Sequence, residues 1–239
     1  MEYKYTGIIL NKKNVGETDR IYTMYTLEGG KIRSVAKGVR KAHAKLASSL
    51  ENLTLADITI VRSRGLGKIT GSIVEQNFSF LKKNYDALIS VFSSLAVFDK
   101  MVDLDHQDKD VFQLLKQYLE TTDKLAEDNN NVEKYEVVSL GFVVKLLDLL
   151  GYAIEVEICV ICGNKLTGEN ICFSPEHGGA LCPDCAKSSA ASCWVKPNAI
   201  KLIRLFLKNS LASLEKIKIN KTDANSAKVA IEDFVRWNT

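Results

Sequence analysis

The first eighty positions alternate apolar and polar residues with a period of two, in short runs broken by glycine and polar residues. Strand-like runs fall near Tyr3–Leu10, Arg20–Leu27, Lys31–Ala36, Leu53–Val61 and Ile69–Val74, the pattern of strands with one buried face. Gly29-Gly30 predicts a two-residue hairpin turn between the second and third runs. Gly65 and Gly67, with Arg62, Arg64 and Lys68 around them, mark the turn between the fourth and fifth. Five short strands in this length predict a small closed barrel, for which the five-stranded OB-fold is the commonest candidate, although an SH3-like barrel would give much the same pattern and periodicity alone does not separate them.

Beyond Phe80 the period becomes helical. Tyr85, Leu88, Ile89, Phe92, Leu95 and Ala96 form one apolar stripe, and Val111, Leu114, Leu115, Tyr118 and Leu119 a second. The polar stretch Glu127–Asn131 precedes a third helix from Val132 to Leu150, with Asn131 placed to cap its start and Gly151 its end. Pro197 opens another helix carrying Ile200, Ile203, Leu207 and Leu211, and a last one uses Ala227, Ala230, Ile231, Phe234 and Trp237. The expected architecture is multidomain β + α. A barrel spans 1–80 and a helical bundle spans 81–158 plus 194–239, with a module at 159–193 inserted into the bundle.

That module carries the sharpest chemistry. Cys159-x-x-Cys162 and Cys182-x-x-Cys185 are separated by nineteen residues, the spacing of a four-thiolate zinc site. Four thiolates complete a tetrahedron around one structural Zn²⁺ and leave no open position for catalysis. Cys172, Cys193 and His177 are spare candidate ligands. The competing reading, a thiol-disulfide enzyme, needs one such pair at a strand–helix junction rather than two facing each other.

Charge changes the picture next. Residues 1–80 hold 13 Lys/Arg against 7 Asp/Glu, a balance of +6, while residues 81–239 hold 19 against 22, a balance of −3. The segment Lys31–Lys45 contains Lys31, Arg33, Lys37, Arg40, Lys41 and Lys45, and no acid lies between Glu28 and Glu51. Such a run on a barrel can neutralise successive phosphates of a nucleic-acid strand. Arg62, Arg64 and Lys68 could extend the patch, and Tyr3, Tyr5, Tyr22 and Tyr25 offer aromatic faces, each also explicable as a half-buried strand residue.

Signatures of catalysis are missing. Gly65-Leu66-Gly67-Lys68 lacks the first glycine and the Ser/Thr of a phosphate loop, and His43 and His106 stand alone. Glu17 and Asp19 read as a turn acid and a salt-bridge acid. A non-enzymatic protein is expected. The charged N-terminus and the absence of a long apolar run predict a cytoplasmic protein with no membrane partner. In that compartment cysteines serve metal rather than disulfides. A zinc-stapled protein–protein adaptor without DNA binding remains an alternative.

Gly7-Ile8-Ile9-Leu10, Gly16-Glu17-Thr18-Asp19-Arg20, Thr26 with Gly29-Gly30-Lys31, and Ala36-Lys37-Gly38-Val39-Arg40 follow one another in an order that resembles the RecO family of bacterial recombination mediators. The later Cys-x-x-Cys-Gly, Gly178-Gly179-x-Leu181-Cys182 and second Cys-x-x-Cys resemble that family's zinc segment. The resemblance covers nearly the whole chain. It implies an OB-fold that binds single- and double-stranded DNA and anneals complementary strands without ATP in DNA repair and recombination. It also implies partnership with RecR and with the acidic C-terminal tail of single-stranded-DNA-binding protein (SSB), so that RecA is loaded, in a nucleoid-associated setting. Carried onto this sequence, the DNA contacts are Arg33, Lys37, Arg40 and Lys41, with Lys45, and the zinc ligands are Cys159, Cys162, Cys182 and Cys185. Lys201, Arg204 and Lys208 beside Leu205 and Leu207 offer a basic, apolar face for the acidic tail.

Overall fold

The computed structural model describes residues 1–62, 65–128, 132–166, 170–189 and 193–239. They form two compact units, Met1–Lys83 with Val102–Asp123, and Asn84–Met101 with Lys124–Thr239. In chain order the first elements are β1 (Glu2–Val15), β2 (Asp19–Thr26), β3 (Gly30–Ala36), β4 (Leu55–Val61) and β5 (Lys68–Gln76). Next come α1 (Ser79–Lys83), α2 (Tyr85–Met101), α3 (Lys109–Glu127) and α4 (Val132–Leu149). Then follow β6 (Ile171–Ser174), β7 (Gly179–Leu181), α5 (Pro183–Ala186) and β8 (Cys193–Val195), and finally α6 (Pro197–Lys208), α7 (Leu211–Leu214) and α8 (Lys221–Trp237).

In the first unit the strands close into a barrel in the order β1-β2-β3-β5-β4. All pairs are antiparallel except β3 with β5, which meet in parallel at Val35 and Lys68. The alternating apolar positions point inward: Tyr22 and Met24 from β2, Ile32 and Ala36 from β3, Ala56, Ile58 and Ile60 from β4, and Ile69 from β5 make one buried cluster. β1 runs on past the core to Val15, its register shifting between Ile9 and Asn11, so that one strand pairs with both neighbours.

Three features of this unit differ from the sequence reading, each for tertiary reasons. Gly30 pairs with Thr26, so the β2–β3 turn is three residues, Leu27 to Gly29, rather than two. Thr26 organises it: its hydroxyl accepts the Gly29 N–H at 3.1 Å and donates to the Gly30 carbonyl at 3.0 Å. Gly30 sits at φ +63°, and a Cβ there would lie 2.0 Å from the His106 carbonyl oxygen, so the 102–108 segment approaches the strand as closely as backbone allows. Asp105 N–H donates to the Lys31 carbonyl at 2.8 Å, and Lys31 Nζ donates to the Val102 carbonyl at 2.8 Å. Lys31 is thereby 4% exposed and drops out of the basic surface. Tyr25 stacks on Phe112 of α3, ring centroids 6.4 Å apart, so Val102–Asp123 belongs with the barrel unit although its apolar period is helical.

In the second unit α4 is the central helix. Tyr135, Val138, Phe142 and Leu146 are buried, and Phe98 of α2 stacks on Phe142 at 6.5 Å. Gly141 lets α7 and α6 close in, its missing Cβ facing Leu214 and Phe206. α4 ends in a Schellman arrangement, Tyr152 N–H to the Leu147 carbonyl and Gly151 N–H to that of Asp148. Asn131, expected to cap its start, lies outside the described residues.

The helical stripes are only partly those of the sequence pattern. α2 buries Ala87, Val91, Leu95 and Phe98, leaving Tyr85, Ile89, Phe92 and Ala96 outward. α6 stops at Lys208 and buries Ile200, Leu202, Ile203 and Phe206, so Leu211 belongs to α7 and Leu207 is half-buried. In α8, Phe234 and Val235 are buried while Trp237 is 56% exposed. A small sheet of order β7-β6-β8 packs in the same unit, with Phe173 against Phe234 edge to face. Among the described residues no helix is long and apolar enough to cross a membrane.

Candidate metal centre and nucleic-acid face

The first cysteine pair sits on a tight turn closed by the isolated pairing of Ile158 with Lys165. Cys159 N–H donates to the Asn164 carbonyl and Gly163 N–H to that of Cys159, both at 2.8 Å, with Gly163 at φ +73°. These bonds curl the chain so that Cys159 and Cys162 aim their sulfurs the same way. The second pair straddles the end of β7 and the single turn of α5, where Pro183 starts the helix and Ala186 N–H donates to the Cys182 carbonyl at 3.0 Å. The four Sγ atoms lie within 4.8 Å of one another, and Cys162 and Cys182 approach to 3.8 Å. Ligands about 2.3 Å from a tetrahedral zinc stand about 3.8 Å apart, so the cluster can hold one metal ion.

The electrostatics agree. Burial alone would raise the Cys159 thiol, but the N–H groups of Cys162, Cys182 and Ile161 outweigh it and bring it down to about 6. Cys185 is pushed up to about 12, first by hydrogen bonding with Cys182 and then by burial. Four thiolates this close repel one another unless a cation sits between them. The spare candidates lie elsewhere. Cys172 is buried on β6, and the exposed His177 engages Ser174 Oγ through Nδ1 at 3.0 Å. Neither is in the cluster, and the Cys193 side chain lies outside the described residues.

The basic face starts on β3, where Arg33 points outward between buried Ile32 and Ser34. Lys37, Arg40, Lys41 and Lys45 follow on the loop after the strand, all exposed. The loop is braced from beneath. Asp19 accepts the Gly38 N–H at 2.8 Å, Arg40 N–H donates to the Thr18 carbonyl at 3.0 Å, and the Arg40 guanidinium reaches the Gly16 carbonyl at 3.2 Å. Val39 is buried beneath it. The Asp19 carboxyl is held below its ordinary value, chiefly by the Gly38 N–H, then by the Thr18 hydroxyl, with Lys37 and Lys41 adding attraction. Asp19, one of the two motif acids, thus anchors the cationic loop.

The remaining candidates divide. Arg62 is half-buried just past the end of β4, its guanidinium 5.9 Å above the Tyr5 ring and its backbone exchanging hydrogen bonds with Met1. Arg64 lies outside the described residues. Tyr5, Tyr22 and Tyr25 belong to the core, and of the four N-terminal tyrosines only Tyr3 is exposed, stacked on Tyr5. In the second unit Arg204 donates to the Val156 carbonyl and pairs with Glu157, which also binds Lys208, so two of the three cations expected on α6 are committed internally.

One polar site escaped the sequence reading. Lys82 donates to Thr54 Oγ1 at 2.7 Å and to Asn77 Oδ1 at 2.6 Å, and burial lowers its pKa to about 8. Its partners are remote in sequence, and no local signal marks them.

Comparison with known proteins accounts for the chain from end to end. Family models described as Recombination protein O N terminal and Recombination protein O C terminal match residues 1–78 and 82–239. A DNA repair protein RecO from Dehalococcoides mccartyi is 30% identical over 236 residues, covering 99% of this chain and 90% of the relative. One from Roseiflexus sp. is 28% identical over 98% of this chain and 80% of its own length. Another, from Desulfitobacterium hafniense, is 26% identical over 92% of this chain and 78% of its own. Matched in both its barrel and its helical, cysteine-bearing half, the chain belongs to the RecO family.

Proposed function

We propose that the protein is a DNA-binding recombination mediator that anneals complementary strands and helps load recombinase on SSB-coated single strands in recombinational DNA repair. The observation that carries this is the braced cationic loop: Lys37, Arg40, Lys41 and Lys45 stand exposed on a loop tied to the barrel through Asp19, with Arg33 beside them on β3. The strand order β1-β2-β3-β5-β4 supports reading the barrel as an OB-fold, in which the second and third strands and adjoining loops bind single strands. Residues 1–80 then form the DNA-binding domain, and Arg62, resting on Tyr5, borders the face. Arg64 is proposed on sequence alone.

Annealing breaks and makes no covalent bond. A cationic face that neutralises phosphates on two strands lowers their repulsion until base pairing takes over. The protein is therefore no enzyme in this reading. Zn²⁺ supplies no chemistry here; when bound, it ties the turn of Cys159 and Cys162 to β7 and α5, coupling metal affinity to folding. The mutual approach of all four sulfurs supports this over a single redox pair. RecR and the SSB tail are the proposed protein partners, and the cytoplasm, at the nucleoid, the proposed setting. The test is annealing of complementary oligonucleotides without nucleotide, with and without SSB: annealing that survives SSB coating is expected, and none in either condition overturns the proposal.

A further inference from the structure

β1 overruns the barrel core, and the register of three strands decides what its end faces. Asn11 lies opposite Thr23 and Thr23 opposite Arg33, while Lys13 lies opposite Ile21 and Ile21 opposite Val35. Paired residues point to the same side of a sheet and successive ones to opposite sides. Because Tyr22, Met24 and Ile32 fill the barrel, these six positions form one strip on its outer surface. The strip continues the row of Tyr25 and Lys31, which Phe112 and the Val102 carbonyl cover. Beyond that cover it is open: Asn11, Lys13 and Arg33 are exposed, and Ile21, Thr23 and Val35 are half-buried.

Its two cations are uncommitted. Neither Lys13 nor Arg33 hydrogen-bonds through its side chain or pairs with an acid among the described residues. Lys12, one position along, turns to the other side and pairs with Glu51. Two strand spacings and two residues separate Lys13 from Arg33, roughly 12 Å in a sheet, so the two can engage different phosphates of one strand. Between them the strip carries only Thr23, Ile21 and Val35, small β-branched side chains. The tyrosines of these strands are turned elsewhere. Tyr22 points into the barrel, Tyr25 lies against α3, and Tyr3 and Tyr5 stack on one another beside β4. Bases held by stacking need an aromatic platform, and this strip offers charge and backbone instead.

We propose that DNA is held on this strip by its phosphates alone. Lys13 of β1 and Arg33 of β3 make the contacts, and the bases are turned away from the protein, free to pair. The proposal rests on the DNA-binding reading and adds to it Lys13 and the mode of contact. A grip on phosphates serves single and double strands alike. A strand whose bases are unengaged needs no release before its complement pairs with it.

Fluorescence anisotropy on the full zinc-loaded chain tests it, across a salt series. Three labelled strands of one length serve as probes: oligothymidine, a mixed sequence, and a strand of abasic sites. Affinities equal within about twofold are expected, since stacking on the protein would be worth about fivefold or more for each base. Lys13→Ala and Arg33→Ala should each weaken all three by the same factor and lower the salt slope by about 0.7 for each phosphate given up. Thermal melts should not change, because both side chains are exposed. His43→Ala, which removes the ring between Lys41 and Lys45 on the cationic loop, should alter no affinity. Base-bearing strands bound about tenfold more tightly than the abasic one, or a Lys13→Ala slope equal to that of the unaltered protein, overturns the proposal and leaves DNA binding standing. No binding to any strand at low salt overturns the DNA-binding reading and this proposal with it.

Discussion

The carboxylate of Asp19, at the start of β2, accepts the backbone N–H of Gly38 at 2.8 Å across a separation of 19 positions, with the β2–β3 hairpin between anchor and loop. The bond sets where Lys37, Arg40 and Lys41 stand. Because the Asp19 carboxyl is held below its ordinary value, first by that N–H, its stabilising effect is present above the ordinary carboxylate range and is lost as pH falls through the folded value. Asp19→Ala should therefore speed hydrogen exchange at the Gly38 amide and weaken DNA binding modestly, with no change in the loop's own charge. Unchanged exchange at that amide would show that the loop is held by other bonds.

Replacing Lys37, Arg40 and Lys41 together by Ala should weaken single-strand binding strongly at low salt. It should also flatten the slope of log K against log salt by about 0.7 for each phosphate no longer neutralised. Lys31→Ala should behave differently, because Lys31 is buried against the Val102 carbonyl. That change lowers stability and leaves the salt slope alone. Filter binding across a salt series, beside a thermal melt, separates the two.

Elemental analysis should find about one zinc per chain, as a closed four-cysteine site requires. Cys159→Ser should lose the metal and destabilise the helical unit, whereas His177→Ala should keep both, since its ring engages Ser174 rather than the cluster. Chelation should lower the melting temperature of the native protein but not that of the Cys159→Ser variant.

Lys82 gives a pH signature. Burial depresses its pKa from 10.5 to about 8, so the folded state releases this proton before the unfolded chain does, and stability rises with pH across that window. Urea melts between about pH 7.5 and 9.5 should show the rise, and Lys82→Met should reduce it. An identical pH profile in the variant would place the depressed lysine elsewhere.

Gly141→Ala reverses an ordinary rule. In a helix interior Ala is favoured over Gly by about 1 kcal/mol, but a Cβ here would meet Leu214 Cδ1 at 2.2 Å in a buried setting. Overpacking costs about 1–3 kcal/mol, so a net loss on the order of 1 kcal/mol is expected in denaturant melts. A gain would show that α7 yields freely.

Much of this molecule is written in local pattern. The five strands, the long helices and the four clustered cysteines follow from periodicity and spacing, because inward-facing alternation and the bend of a Cys-x-x-Cys turn are properties of a few adjacent residues. What local pattern could not reach is pairing between distant parts. The stripe read on α2 mixes inward Leu95 with outward Tyr85, Ile89 and Phe92, because a helix apolar on two sides carries no mark of which side meets α4. Lys31 reads as one more surface cation until the Val102 carbonyl buries it. The β2–β3 turn reads as Gly29-Gly30 until strand register assigns Gly30 to the ladder beside His106.

By itself the sequence determined the family, the quartet of cysteines that cluster and the cationic segment, since each is a matter of residue type in order. Only the tertiary structure decided which of those cations reach solvent, which acid holds their loop, and which apolar face is left uncovered. Those choices rest on hydrogen bonds and packing between residues far apart in the chain, whose free energy exists only once the chain has folded.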